Sequence, residues 1–403
     1  MRFSDLLGET DHRTDRLAYA AFIVCAFGAG VSLPLGRAGL AFCLVVVLVG
    51  LARHVYAWRA TVTFWLALAF VLLTVLVTCN GYNPALGVPK LDKLVWFFGL
   101  FVGPFVLTRA GRPLRILQAY VVGCSITAVR TLVERPLAAR EALASGATDD
   151  LAWALADGGS MTDAQRLMLG MLAAIGILFI TSRIKGKARW YWGLALLVQS
   201  LGLVMTFKRG AWICAVFAAS LLLGALTRWR YVVIPAIIAA ALLFLPFVQQ
   251  RLGDLKSEFN VDSGGRLTMW CKVTPGIIKD HPFGIGYRSL TNDLMREYAP
   301  NVEPNRDHLH SNFAQILVAS GWVGLVLYML WMLCALRDGM LNAVRSVRNN
   351  GPPASIVATT LFTMLAALMC NGLVEYNFGD GELVLAYGVM MGACIAGRVQ
   401  TDP

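Results

Sequence analysis

Twelve apolar runs, each near the length of a bilayer crossing, punctuate the 403-residue chain at about 17–34, 38–52, 61–79, 94–108, 115–132, 166–182, 190–207, 211–227, 231–248, 310–336, 354–371 and 382–397. A helix needs roughly 20 apolar residues to cross the hydrocarbon core. In lipid every backbone polar group must be bonded within the chain, so repeated runs of this kind point to bundled helices. The expectation is an all-α polytopic membrane protein of about 12 transmembrane helices, the shorter runs extending into flanking polar residues. Composition agrees, with 57% hydrophobic and 15% charged residues, against about a quarter charged in soluble domains.

The formal charge of +11 does not indicate nucleic acid. The cations are scattered in small groups between apolar runs instead of gathering on one soluble face. Arg53/Arg59, Arg109/Arg112/Arg115, Arg183/Lys185/Lys187/Arg189 and Arg228/Arg230 all fall in alternate short loops. The positive-inside rule assigns that side, and both termini, to the cytoplasm. The chain then divides into 1–248 with helices 1–9, a long extracytoplasmic loop at 249–309, and 310–403 with helices 10–12. A second long loop, about 133–165, holds an Ala/Leu-rich stretch at 136–156 that reads as a short surface helix. The first apolar run, from Leu17, is long enough to stay in the membrane, so no cleavable signal is expected. Most of the nine cysteines lie in apolar runs and none forms a CxxC pair, which reads as packing.

Within the long loop, Arg266 to Lys279 places Leu267, Trp270, Val273 or Thr274, and Ile277 at helical spacing. The expectation is an amphipathic helix resting on the bilayer interface with Trp270 as anchor.

Several groups carry chemistry. Lys208-Arg209-Gly210 sits in a tight extracytoplasmic turn, against the orientation trend. It reads as an anion site, with a snorkelling lipid anchor as the alternative. Gly264-Gly265-Arg266 leads into the loop helix, a second anion candidate if it is not simply a flexible lead-in. His310-Ser311 opens a transmembrane helix, where a neutral imidazole is a competent general base and a mere helix cap is the bland reading. His308 and His310, two apart, would point away from each other on a helix, so a metal pair is not expected. Arg288, after the turn Gly284–Tyr287, and Arg130, at the end of a helix, are further candidate anion ligands. Asp380-Gly381-Glu382 reads as a solvated turn in preference to a cation site.

Taken together, His310-Ser311 with Gly321 following, Phe207-Lys208-Arg209-Gly210-Ala211-Trp212, Gly265-Arg266 with Trp270, and His281-Pro282-Phe283-Gly284-Ile285-Gly286-Tyr287 resemble the O-antigen ligase and polymerase superfamily over about 205–325. The resemblance implies a GT-C-like helical fold with a large periplasmic loop carrying short interfacial helices. It implies transfer of a glycan from undecaprenyl pyrophosphate, at the periplasmic face of the bacterial inner membrane, to the lipid A–core acceptor. A growing glycan chain (polymerase) or a protein (O-oligosaccharyltransferase) is the acceptor in relatives. The family's histidine matches His310 and its loop arginines match Arg209 and Arg266, so these are expected to be catalytic. Arg209, Arg266, Arg288, Lys208 and Arg130 are expected to hold pyrophosphate, with no metal and no cofactor. A lipid-linked glycan transporter is the competing class, but no repeat symmetry or matching pair of broken helices is visible, and the cations gather on one face.

Overall fold

The computed structural model describes residues 3–57, 61–109, 111–148, 154–155, 160–183, 186–227, 229–242, 244, 249, 260–304, 307–349 and 351–399. Among these there is no strand. The long helices are α1 (Phe3–Val31), α2 (Leu33–Ala52), α3 (Val62–Asn80), α6 (Arg112–Ala144), α7 (Met161–Thr181), α8 (Ala188–Met205), α9 (Arg209–Leu226), α14 (Asn312–Asn349), α15 (Gly351–Asn371) and α16 (Gly381–Val399). Shorter pieces are α4 (Pro84–Gly87), α5 (Phe98–Val106), α10 (Val233–Leu242), α11 (Arg266–Thr268), α12 (Thr274–Asp280) and α13 (Asn292–Tyr298). The chain is an all-α polytopic membrane protein.

Each of the twelve apolar runs lies in or overlaps helix, but eight helices among the described residues are long and apolar enough to cross a membrane by themselves. The other four fall short for local reasons. The run at 94–108 is split between a 3₁₀ segment, Val88–Phe97, and the nine-residue α5, which contains Pro104. α8 carries Arg189 in its first turn amid aromatic residues, α16 offers 17 residues, Gly381–Gly397, among its described side chains, and the run at 231–248 continues outside the described residues. Arg59, Lys185 and Arg228, counted among the orienting cations, also lie outside them.

α1 packs along α2 and α6, α3 and α15 flank α14, and α5 lies along α16. The last crossing is close because glycines meet. A Cβ on Gly103 would come within 2.5 Å of Gly392 Cα, the small-residue contact that lets membrane helices touch through backbone.

The expected surface helix over 136–156 is, as far as residue 144, the end of α6, which runs 33 residues without interruption through Pro136. Residues 149–153 and 156 of that stretch lie outside the described residues.

The long loop differs from expectation in one respect. Its helical stretch forms, from α11 through a π turn at Met269–Val273 into α12. However, its apolar face is covered by the loop itself. Met269, Val273, Ile277 and Ile278 join Leu290, Leu294, Met295, Val302 and Leu309 in a small core separate from that of the bundle. Trp270 is partly buried against this core, and its indole N–H donates to Leu309 O at 2.6 Å. Protein, not lipid, covers the amphipathic face.

This loop is stitched into the bundle through a break in α14. Gly321 has φ 66° and ψ −172° inside the helix. The break turns two helix carbonyls outward, and Val318 O and Ala319 O accept from Ile285 N at 2.9 Å and Gly286 N at 3.0 Å. The turn 284–287 is then tied to the end of α3, where Thr78 Oγ1 accepts from Tyr287 N at 2.8 Å and Ile285 O from Tyr82 N at 3.1 Å. Gly321 and the His281–Tyr287 motif are two halves of one joint.

Candidate functional site

Beside that joint, in the turn between α15 and α16, lies Glu375, only 2% exposed. A buried carboxylate needs cationic or hydrogen-bonding partners. Arg266 Nη2 bonds Glu375 Oε1, and His310 Nδ1 stands 3.3 Å from Oε2. The residue after Arg209, Gly210, packs on the same turn: a Cβ there would meet Val374 at 3.3 Å and Glu375 Cγ at 4.0 Å. Segments far apart in sequence thus converge on one carboxylate.

Local structure explains each placement. The α8–α9 turn is sharp, with Phe207 at φ 55°. It is clamped because Leu203 O accepts from the Trp212 indole at 2.8 Å and from Thr206 Oγ1 at 2.7 Å. Arg266 follows Gly264, whose φ of 82° and approach to Asn301 O (2.0 Å from a notional Cβ) admit no side chain. That glycine serves close packing, and its N–H is already bonded to Thr268 Oγ1 at 2.9 Å. His310 takes φ 49°, a left-handed conformation rare for a side-chain-bearing residue and typical of constrained sites. Leu309 before it is held on both sides, by Trp270 and by Gln315 Oε1 accepting from its N–H at 2.9 Å.

Asn312, fully buried, fixes the turn that carries Glu375. Its backbone N–H donates to Gly372 O at 2.8 Å, its Nδ2 donates to Asn377 Oδ1 at 2.6 Å, and its Oδ1 accepts from Phe378 N at 3.2 Å.

A cavity of 350 Å³ opens here, lined by Lys208, Arg288, Asp307, His308, His310, Glu375, Tyr376, Asp380, Lys90, Thr162, Met161 and Leu290. Burial holds the His310 imidazole below its ordinary pKa of 6.5, the Glu375 hydrogen bond opposes this, and the charges of His308 and Arg266 reinforce it. Arg288, at φ 52°, donates from Nη2 to Gly379 O. Its Nε is buried without a partner among the described residues. The two histidines do not point apart: outside any helix, their ring centroids lie 4.2 Å from each other. His308 Nδ1 sits 2.7 Å from Asp307 Oδ1 and holds that carboxyl down to about 2. No cluster of three or more metal-ligating side chains is found among the described residues.

Of the residues expected from sequence, Lys208, Arg288 and His310 line the cavity, and Arg266 shares Glu375 with His310. Arg130 does not line it. It bonds Asp163 at 2.8 Å and is 44% exposed. The Asp380–Glu382 turn is not simply solvated. Asp380 accepts from Thr162 Oγ1 at 2.7 Å and lines the cavity, and Glu382 lies 3.3 Å from Arg166. Glu375, Asp307 and Lys90 were missed. A single acid in Leu-Val-Glu-Tyr belongs to no pattern, and the available signal was only an ionisable residue at a membrane-helix end.

Fold and site together define a polytopic membrane protein with an imidazole, a carboxylate and several cations around a cavity at one end of its bundle. Residues 193–329, about a third of the chain, match the family model described as O-Antigen ligase, so that segment is similar to the O-antigen ligase superfamily. A comparison with curated proteins finds no match.

Proposed function

We propose that the protein is a lipid-linked glycan transferase of the bacterial inner membrane that moves O-antigen polysaccharide from undecaprenyl pyrophosphate to lipid A–core. The observation that carries this reading is the convergence of Arg266 and His310 on Glu375 beside a cation-lined cavity. In it the cavity end of the bundle faces the periplasm and both termini are cytoplasmic.

Arg209 and Arg266, with Arg288 and Lys208, take the pyrophosphate, whose oxygens suit guanidinium forks. Arg130, which bonds Asp163 and does not line the cavity, is left out of this set. Glu375 accepts from His310 Nδ1–H, which fixes the tautomer and leaves Nε2 unprotonated. Nε2 removes the acceptor hydroxyl proton as the oxygen attacks the anomeric carbon. The bond to pyrophosphate breaks with its electron pair on the leaving oxygen, and the anomeric centre inverts. Fixed cations stabilise the charge that grows on that oxygen, more in the transition state than before it. The side chains in place supply both base and charge stabilisation, so activity is expected to persist in excess EDTA.

The test is incubation of the purified protein in detergent with lipid-linked glycan and lipid A–core. Glycan attached to the core is the expected product. Longer lipid-linked chains from donor alone would make it a polymerase. Absence of any covalent product would leave a transporter as the better reading.

A further inference from the structure

The 3₁₀ segment Val88–Phe97 is unusually long for that geometry, in which residues three apart eclipse one another. Leu91, Leu94 and Phe97 therefore share one face, and Lys90 and Lys93 share another. The two faces look onto different spaces. Leu91, Leu94 and Phe97, with Phe98 and Phe101, line an apolar groove of 220 Å³ against Phe64, Leu68, Val71 and Val75 of α3. Lys90 lines the cavity that holds His310 and Lys208. Lys93 is half-buried among the charges of Arg288, Asp380, Asp92 and Glu382.

We propose that this groove seats the isoprenoid chain of the diphosphate donor, with Lys90 and Lys93, the chain neighbours of the groove residues Leu91 and Leu94, meeting its phosphates. The inference rests on the reading of the donor given above. Every lining side chain is apolar. From Phe64 to Val75 the groove follows α3 for about 16 Å at 1.5 Å per residue, so a chain laid in it runs along the hydrocarbon core. At 220 Å³ the groove has room for part of one hydrocarbon chain. Phe98, 40% exposed, leaves a side open to lipid. The two lysines supply the charge complement that a neutral lipid would not need.

The test uses full-length protein in detergent and geranylgeranyl diphosphate carrying a diazirine at its hydrocarbon end. Crosslinks are expected on residues 64–75 and 91–101. Leu68→Trp and Val71→Trp, which fill the groove, should weaken binding about tenfold, the equivalent of two unburied methylene groups. Leu72→Trp, at a position 60% exposed and outside the groove, should bind as wild type and controls for folding. The double change Lys90→Ala, Lys93→Ala should weaken the diphosphate but leave geranylgeraniol unaffected. Crosslinks elsewhere, wild-type affinity in both groove variants, or displacement by phosphatidylglycerol or lipid A–core as readily as by undecaprenyl diphosphate would overturn the proposal. Groove labelling without glycan transfer would remove the proposed function and leave the groove. Transfer without groove labelling would do the reverse.

Discussion

Glu375 balances the resting site, because one buried carboxylate serves both Arg266 and His310. His310→Ala should abolish transfer while leaving protein in the membrane, and near-normal rates in a reconstituted assay would refute its role as base. The Glu375 hydrogen bond raises the ring's pKa against a larger lowering by burial. The ring is thus neutral at pH 7, and activity should fall only on acidification below the ordinary 6.5. Glu375→Gln removes the opposing influence, so the acid limb of kcat/KM should move to lower pH while kcat drops. A limb that stays put or moves up contradicts the contact. Arg209→Ala and Arg266→Ala should each lower kcat by about 10²–10³, the usual effect of deleting one electrostatic stabiliser, and lysine at either position should restore only part of it.

At the scale of elements, the joint between α14 and the 281–287 turn is the most specific piece of architecture. Gly321 has no space for a side chain, since a Cβ would lie 2.5 Å from Pro282 O, and its φ is 66°. Gly321→Ala should destabilise the fold by about 1–3 kcal/mol, read as a lowered Tm in detergent. Gly351→Ala, also at positive φ but with nothing within 4 Å, should lose less. The comparison separates steric clash from backbone strain. Sequence made the glycines visible without their meaning. The spacing from Ser311 to Gly321 names a position, whereas its use depends on carbonyls meeting a turn 33 residues earlier, Val318 on Ile285 and Ala319 on Gly286. The loop helix was legible as amphipathic, but periodicity says only that a face is apolar, not whether lipid or protein covers it. Lys90 and Lys93 escaped notice because a three-residue period governs them, not the 3.6-residue period of an α-helix.

Across the whole molecule, apolar run length was enough to fix the helical class, because lipid permits little else. Glu375 was not legible, because its partners lie 65 and 109 residues away. At the opposite end of the bundle, Asp15 and Arg112 form a buried pair, 6% and 7% exposed, with Arg109 alongside. Breaking such a pair leaves a stranded charge, so Asp15→Ala should destabilise by about 3–5 kcal/mol in thermal unfolding. Binding of the diphosphate by the molecules that stay folded should be unchanged, since the clasp joins α1 to α6 far from Glu375. One consequence concerns biosynthesis. The carboxylate that Arg266 and His310 share arrives in the final hairpin, between α15 and α16. A ribosome-bound chain inserted only as far as α14 therefore holds an incomplete pocket, and only insertion of the last pair of helices closes the circuit of charge.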